Sequence, residues 1–514
     1  MTAQSTDSSK TASLRDGPQW RLSLPLFTVL LLGLLALVLF AYAQPALARI
    51  LVPALVIGVV ALAVTWRWPL VPLGLMLAFI PLYDGIVRYL THVLEWPTVW
   101  LQVLSLWKEG GLALLLGVVL IQHWTGRRRI VWRSYAFDLW LAALLLLSLL
   151  YVAIAARPGI GVYGLRNYLV PLAFFFLARL MVTSRRDLVR LLALLLTVGA
   201  GVAAFGIYQA RVLDFAAMVG LGYVDETGIV PYAFRTALRD GFPIPRAVST
   251  TTGPNQFAVY LNFLILVCLF GIFYGRKIVP RLVLGGLAAL YVVTLLLTLS
   301  RGGLLMLIVS LMAWAVLLVE HHGARRTWQE LTQNRLLLAG LVALVVLGVA
   351  GVVASGFATR VVRGLTGRDP SADAHQSSMV YSLDFMAENP LGIGMGMVGE
   401  RALQFAAEAN VEHTESTLFQ VGMELGLFGM GLLLVALTSL LLTFWRMRRG
   451  MRSRGDLFGR AVVELALVFW VGALVNFIFT PLLQNLLAAG YLWWVAGVAF
   501  NQDAYAGEAD RVTR

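Results

Sequence analysis

Apolar runs of membrane length alternate with short polar segments along almost the whole chain. Runs at 22–40, 46–65, 69–83, 101–122, 136–156, 166–183 and 188–209 precede a polar gap. Runs at 254–274, 282–299, 303–319 and 335–355 follow it, and after a second gap stand 417–445, 461–480 and 482–500. A helix rises about 1.5 Å per residue, so nearly all of these runs are long enough to cross hydrocarbon, 69–83 being the shortest. The pattern predicts an all-α protein, a polytopic transmembrane helical bundle of about fourteen spans. Residues 1–20 hold little to bury and read as a disordered cytoplasmic N-terminus, 21–500 as the transmembrane helical domain, and 501–514 as a cytoplasmic tail. The AYAQ after the first run mimics a signal-peptidase site following Ala43. That run is long, however, and more spans follow at once, which favours an uncleaved anchor.

The polar segments set the orientation. Alternate loops carry Arg127, Arg128, Arg129 and Arg133; Arg185, Arg186 and Arg190; Arg276, Lys277 and Arg281; Arg325, Arg326 and Arg335; and Arg446, Arg448, Arg449, Arg452 and Arg454. With fourteen spans all five groups fall on one side, which the positive-inside rule makes the cytoplasm. Both termini are then inside, and the two long loops, 210–252 and 356–415, face outward. Composition agrees: 59% of residues are hydrophobic and 13% charged, which excludes a soluble domain. The net charge of +13 lies mostly in loops between spans rather than on one face, so nucleic acid is not a partner. Cys268 is the only cysteine, which excludes an intrachain disulfide and a cysteine-rich metal site. No internal repeat of the kind that builds symmetric transporters stands out.

Candidate chemistry lies on the outward side. VEHTESTLFQVGMELGLFG sets His413, Glu415 and Ser416 just before an apolar run, and Thr417 with Gln420 has capping-box spacing, which predicts a helix start there. His375 shares the same loop. Arg166 opens the sixth span, Lys108 and Glu109 lie in the outer part of the fourth, and Arg246 precedes a Pro254–Asn255 turn into a span. Arg301 sits in LSRGG at an outer hairpin, where Gly302 and Gly303 permit close backbone approach to a ligand. Cations at the membrane edge are costly unless paired or used, and an arginine fork fits phosphate oxygens. The competing explanation is that these arginines snorkel to headgroups or pair with acids of their own loops, and it weighs most for Arg211, Arg235 and Arg239. The loop segment MAENPLGIGMG has no strand before it and so is no dinucleotide fingerprint; it predicts a backbone-exposed loop able to approach a sugar or phosphate.

SRGG at an outer hairpin, ENPLGIGMG in the late loop and E-S-x-L-x-Q-x-x-x-E-x-G-x-x-G opening the next span, in that order, resemble the O-antigen ligase/O-antigen polymerase superfamily over roughly residues 160–440. The resemblance implies a GT-C-like, metal-independent glycosyltransferase without cofactors in the bacterial cytoplasmic membrane, active towards the exterior. Its partners would be a lipid-linked glycan donor, a glycan acceptor and membrane lipid, with room for other polysaccharide-assembly proteins. Glu415–Ser416 stand where ligases typically carry His–Asn, a departure that favours a polymerase or another glycan transferase over transfer to lipid A core. His375 lies where relatives often carry a basic residue, and Arg246 resembles the arginine of the family's preceding loop.

The chemistry needs a base for the acceptor hydroxyl and positive charge for the departing pyrophosphate. Glu415, or His413 in its place, is the candidate base. Arg246 and Arg301 are the candidate pyrophosphate ligands, with Arg166 and Lys108 in support and Ser416 and His375 beside the substrate. A lipid-linked oligosaccharide flippase and a protein O-oligosaccharyltransferase are the rival functions.

Overall fold

The computed structural model describes residues 45–322, 370–398, 414–502 and 505, apart from 129, 131, 156, 226, 238–242 and 276. The chain divides into two compact units, Met1–Val64 and Thr65–Arg514. The described part of the first unit is helical, within α1 (Pro45–Arg67), and exposes Val56, Ile57, Val59 and Val60. The second unit opens with α2 (Leu70–His92), α3 (Thr98–Ser105), α4 (Trp107–Trp124), α5 (Ala136–Ile154), α6 (Pro158–Met181) and α7 (Arg185–Arg211). A folded loop follows, with α8 (Phe215–Gly220) and the strands β1 (Arg235–Ala237) and β2 (Pro243–Pro245), paired antiparallel with Thr236 opposite Ile244. The remaining helices are α9 (Pro254–Tyr274), α10 (Ile278–Thr298), α11 (Arg301–His322), α12 (Pro370–Glu388), α13 (Thr417–Arg454), α14 (Leu457–Asn476) and α15 (Leu486–Phe500).

The protein is therefore an all-α polytopic membrane protein. Among the described residues ten helical segments are long and apolar enough to cross a membrane, and Val56–Arg67 and Leu486–Phe500 are shorter apolar helices. These twelve match the expected runs, while 22–40 and 335–355 lie outside the described residues. Helices α9, α14 and α15 are predominantly apolar around their circumference, and they form the buried centre, packed on one another and on α6, α10 and α11. Helix α15 is the most enclosed, with every residue from Leu487 to Phe500 buried.

Several boundaries differ from the sequence expectation, two of them in the first helices of this unit. The run 69–83 continues as helix to His92, because the polar residues beyond it find partners within the protein. Arg88 donates to the Thr251 carbonyl and stands 4.5 Å from the centre of the Tyr223 ring. Burial in turn raises the pKa of the Tyr223 hydroxyl, which donates to the Ser249 carbonyl at 2.7 Å. The run 101–122 breaks at Leu106 into α3 and α4.

One end of the second unit gathers arginines at the C-termini of α4 and α13 and at the N-terminus of α7. Arg179, near the end of α6, donates to Asp138 at 2.5 Å and to the Arg133 carbonyl at 2.7 Å, with Trp132 stacked 3.6 Å away. Deeper in the same end, Glu464 on α14 has no exposed surface and accepts from Arg448 at 2.7 Å, Arg460 at 3.0 Å and Tyr274 at 2.5 Å. Arg448 also pairs with Glu320 and donates to the Leu317 carbonyl, so Glu464 ties α9, α13 and α14 together directly and α11 through Arg448. Removing it leaves two guanidinium groups buried with less countercharge. Glu464→Ala is expected to destabilise the bundle by about 3–5 kcal/mol, read as a lowered unfolding midpoint of the detergent-solubilised protein.

Candidate functional site

Helices α4 and α15 run from the opposite end of the unit towards the arginine-rich end, and their N-terminal turns help to wall a cavity. It is partly open to solvent, and its volume is about 70 Å³. Tyr83 and Asp84 come from the second half of α2, Lys108 and Glu109 from the first turn of α4, and Arg166 and Asn167 from α6. Thr252 enters from the loop before α9, and Gln484 and Asn485 from the loop before α15. The Asn485 side chain accepts from Ala488 N at 3.1 Å, capping α15, and donates to the Thr252 hydroxyl at 3.2 Å. Those two bonds fix one wall.

Two of the candidate substrate ligands thus share one cavity. Arg166 does not open its helix as the hydropathy pattern suggests: α6 begins at Pro158, so Arg166 lies more than two turns inside it. There it pairs with Glu109, and its guanidinium lies 5.5 Å from the Tyr163 ring centre. The Lys108 ammonium lies 5.7 Å from the centre of the Tyr83 ring. All four charged groups are half-buried, two positive and two negative. Asp84, Asn167, Thr252, Gln484 and Asn485 went unnoticed in the sequence, since a single polar residue at a helix edge carries no signal of what it will face.

The other candidates have different surroundings. Arg246 donates to the Thr298 carbonyl at 2.8 Å, the Ala233 carbonyl at 3.0 Å and the Asn255 side chain at 3.4 Å. Its fork braces the loop before α9 against the C-terminus of α10, where Leu299 adopts a left-handed conformation. Arg301 is half-buried in the first turn of α11. The neighbouring glycines admit protein rather than ligand: a Cβ on Gly302 would lie 2.5 Å from Oδ1 of Asn476. Neither Arg246 nor Arg301 lines the cavity.

Ser416, not Thr417, is the N-cap of α13: its hydroxyl accepts from Phe419 N at 3.4 Å and donates to the Phe477 carbonyl at 3.1 Å. The expected Thr417–Gln420 capping box is absent. Thr417 instead donates to the Thr480 carbonyl at 2.7 Å, and Gln420 to the Val398 carbonyl at 3.2 Å. Glu415 is exposed immediately before the cap. His413 lies outside the described residues, and His375 falls on α12 with its side chain outside them.

The glycine-rich loop also meets protein. Helix α13 is interrupted at Gly426, with φ 74° and ψ −179°, a conformation that only glycine adopts at little cost. Loop residues 390–396 fill the break: Ile393 N donates to the Met423 carbonyl and Gly394 N to the Glu424 carbonyl, both at 3.0 Å, and Leu427 N donates to the Pro390 carbonyl at 2.9 Å. A Cβ on Gly426 would lie 2.5 Å from the Pro390 oxygen, and one on Gly396 would lie 2.5 Å from the Ile160 oxygen, so both backbones touch their neighbours directly.

No curated protein matches the chain. Residues 286–434, from within α10 to the middle of α13, match the family model described as O-Antigen ligase. The match takes in the SRGG hairpin, the glycine-rich loop, Glu415 and the break in α13, and so identifies residues 286–434 as an O-antigen ligase-type domain of the O-antigen ligase/polymerase-like superfamily.

Proposed function

We propose that this protein is an inverting, metal-independent glycosyltransferase that polymerises or transfers an undecaprenyl-pyrophosphate-linked glycan at the outer face of the bacterial cytoplasmic membrane, in surface polysaccharide biosynthesis. The observation that carries the reading is the meeting of Lys108 and Arg166 in one cavity, at the end of the bundle away from the arginine-rich loops. Ionisable side chains at membrane depth are retained where they pair or bind. Arg166 offers a planar fork and Lys108 a compact point charge, which together suit the oxygens of a diphosphate. The pairing with Glu109 keeps the arginine satisfied without substrate, and an incoming pyrophosphate would compete for it.

Within this reading the acceptor hydroxyl loses its proton as it attacks the anomeric carbon, the bond from that carbon to the pyrophosphate oxygen breaks, and the leaving group departs with the electron pair. The cavity cations stabilise that departing charge. Glu415, with His413 beside it in sequence, is the proposed base, and Asp84 is a second carboxylate placed beside the cations. Arg246 holds the outer loop in place, and Arg301 stands at the start of α11 as a further candidate for the donor's phosphates. Ser416 shapes the entry to α13, and His375 is kept as a candidate for sugar contacts.

A charge-assisted hydrogen bond contributes about 1.5–3 kcal/mol, so Lys108→Ala and Arg166→Ala should each lower chain formation in a membrane assay at least about tenfold without lowering the amount of protein in the bilayer. Normal polymer from both variants would remove the cavity from the mechanism. For the base, Glu415→Gln should cost about a hundredfold in rate and Asp84→Asn much less. The reverse ranking would move the base into the cavity. Movement of labelled lipid-linked sugar across vesicles, without polymer, would favour the flippase reading.

A further inference from the structure

We propose that Glu424 is a positioning residue that locks the walls of the Lys108–Arg166 cavity in register; this rests on that cavity being the donor site. Glu424 lies on α13 two residues before the Gly426 break and has no exposed surface. Its carboxyl oxygens accept from Tyr168 Oη at 3.1 Å and from Gly396 N at 3.2 Å. The Gln484 side chain and the Val398 backbone also lie within hydrogen-bonding reach.

Each of these contacts belongs to a different segment. Tyr168 follows Arg166 and Asn167 on α6, both of which line the cavity. Gln484 lines it too and precedes Asn485, the cap of α15. Gly396 belongs to the loop that fills the break in α13, with its backbone against Gly164 and Ile160 of α6. One carboxyl group thus joins α6, α13, the glycine-rich loop and the segment before α15.

A carboxylate can accept four hydrogen bonds on two oxygens, whereas a glutamine has one acceptor oxygen and would turn an NH₂ towards one of these donors. The acid suits a junction of several donors, and its loss would leave donors buried and unpaired. Glu424 touches no atom of the cavity void, so it acts through Tyr168 and Gln484.

The test uses the full-length protein in detergent and inorganic pyrophosphate as the probe, with affinity measured by calorimetry. The loss of one or more buried hydrogen bonds should weaken pyrophosphate binding about threefold in Tyr168→Phe, about fivefold in Glu424→Gln and about tenfold or more in Glu424→Ala. With a lipid-linked donor, the same variants should raise KM while kcat changes less. Tyr168→Phe is the mildest change and keeps the test readable if Glu424→Ala does not accumulate. Wild-type pyrophosphate affinity in both Tyr168→Phe and Glu424→Gln, or a fall in kcat with KM unmoved, would overturn the proposal. Failure of the wild-type protein to bind pyrophosphate would instead overturn the donor-site reading, and this inference with it.

Discussion

A charge enclosed by apolar helices must be answered from within the protein, because hydrocarbon offers neither counterion nor hydrogen bond. The second unit is built around that constraint. Arg179 is answered by Asp138, Arg448 and Arg460 by Glu464, Arg166 by Glu109, and the Glu424 carboxyl by Tyr168 and Gly396. Each pair joins different helices or loops, apart from the Arg460–Glu464 turn of α14. Apolar packing between such helices is weakly directional, so these few polar joints set which faces meet.

The joints at the two ends differ in kind. At the arginine-rich end the central joint is closed: Glu464 is fully enclosed and receives three donors. At the other end the pair formed by Arg166 and Glu109 remains about a quarter exposed on each side and faces a void. A fold that satisfies some charges tightly and others loosely separates its fixed joints from an accessible one.

The helical pattern was readable because hydrocarbon thickness dictates run length, and the expected runs among the described residues appear as helices. What could not be read was where polar residues inside a run would find partners. Asp84 and Arg88 look like the end of a span, yet α2 continues through them because Thr251 and Tyr223 come from a loop far along the chain. The site was half legible for the same reason. Lys108 and Arg166 stood out as cations out of place, whereas Gln484 and Asn485 are ordinary residues whose role depends on α15 folding back beside α6. Arg246 and the glycines of residues 392–396 belonged to the ordered set of motifs, but their contacts are with the protein's own backbone. A motif records that close approach is needed and does not say what approaches.

Under the proposed function, the pairing of Arg166 with Glu109 makes the cavity an exchange site rather than an empty socket. A ligand must bring more to the guanidinium than the resident carboxylate already supplies, so a small monovalent anion such as chloride or acetate gains little by entering. A diphosphate brings several oxygens and more than one charge, and can engage the lysine in the same step. Selectivity for polyanions over the far more abundant simple anions then follows from an internal competitor, without any steric filter.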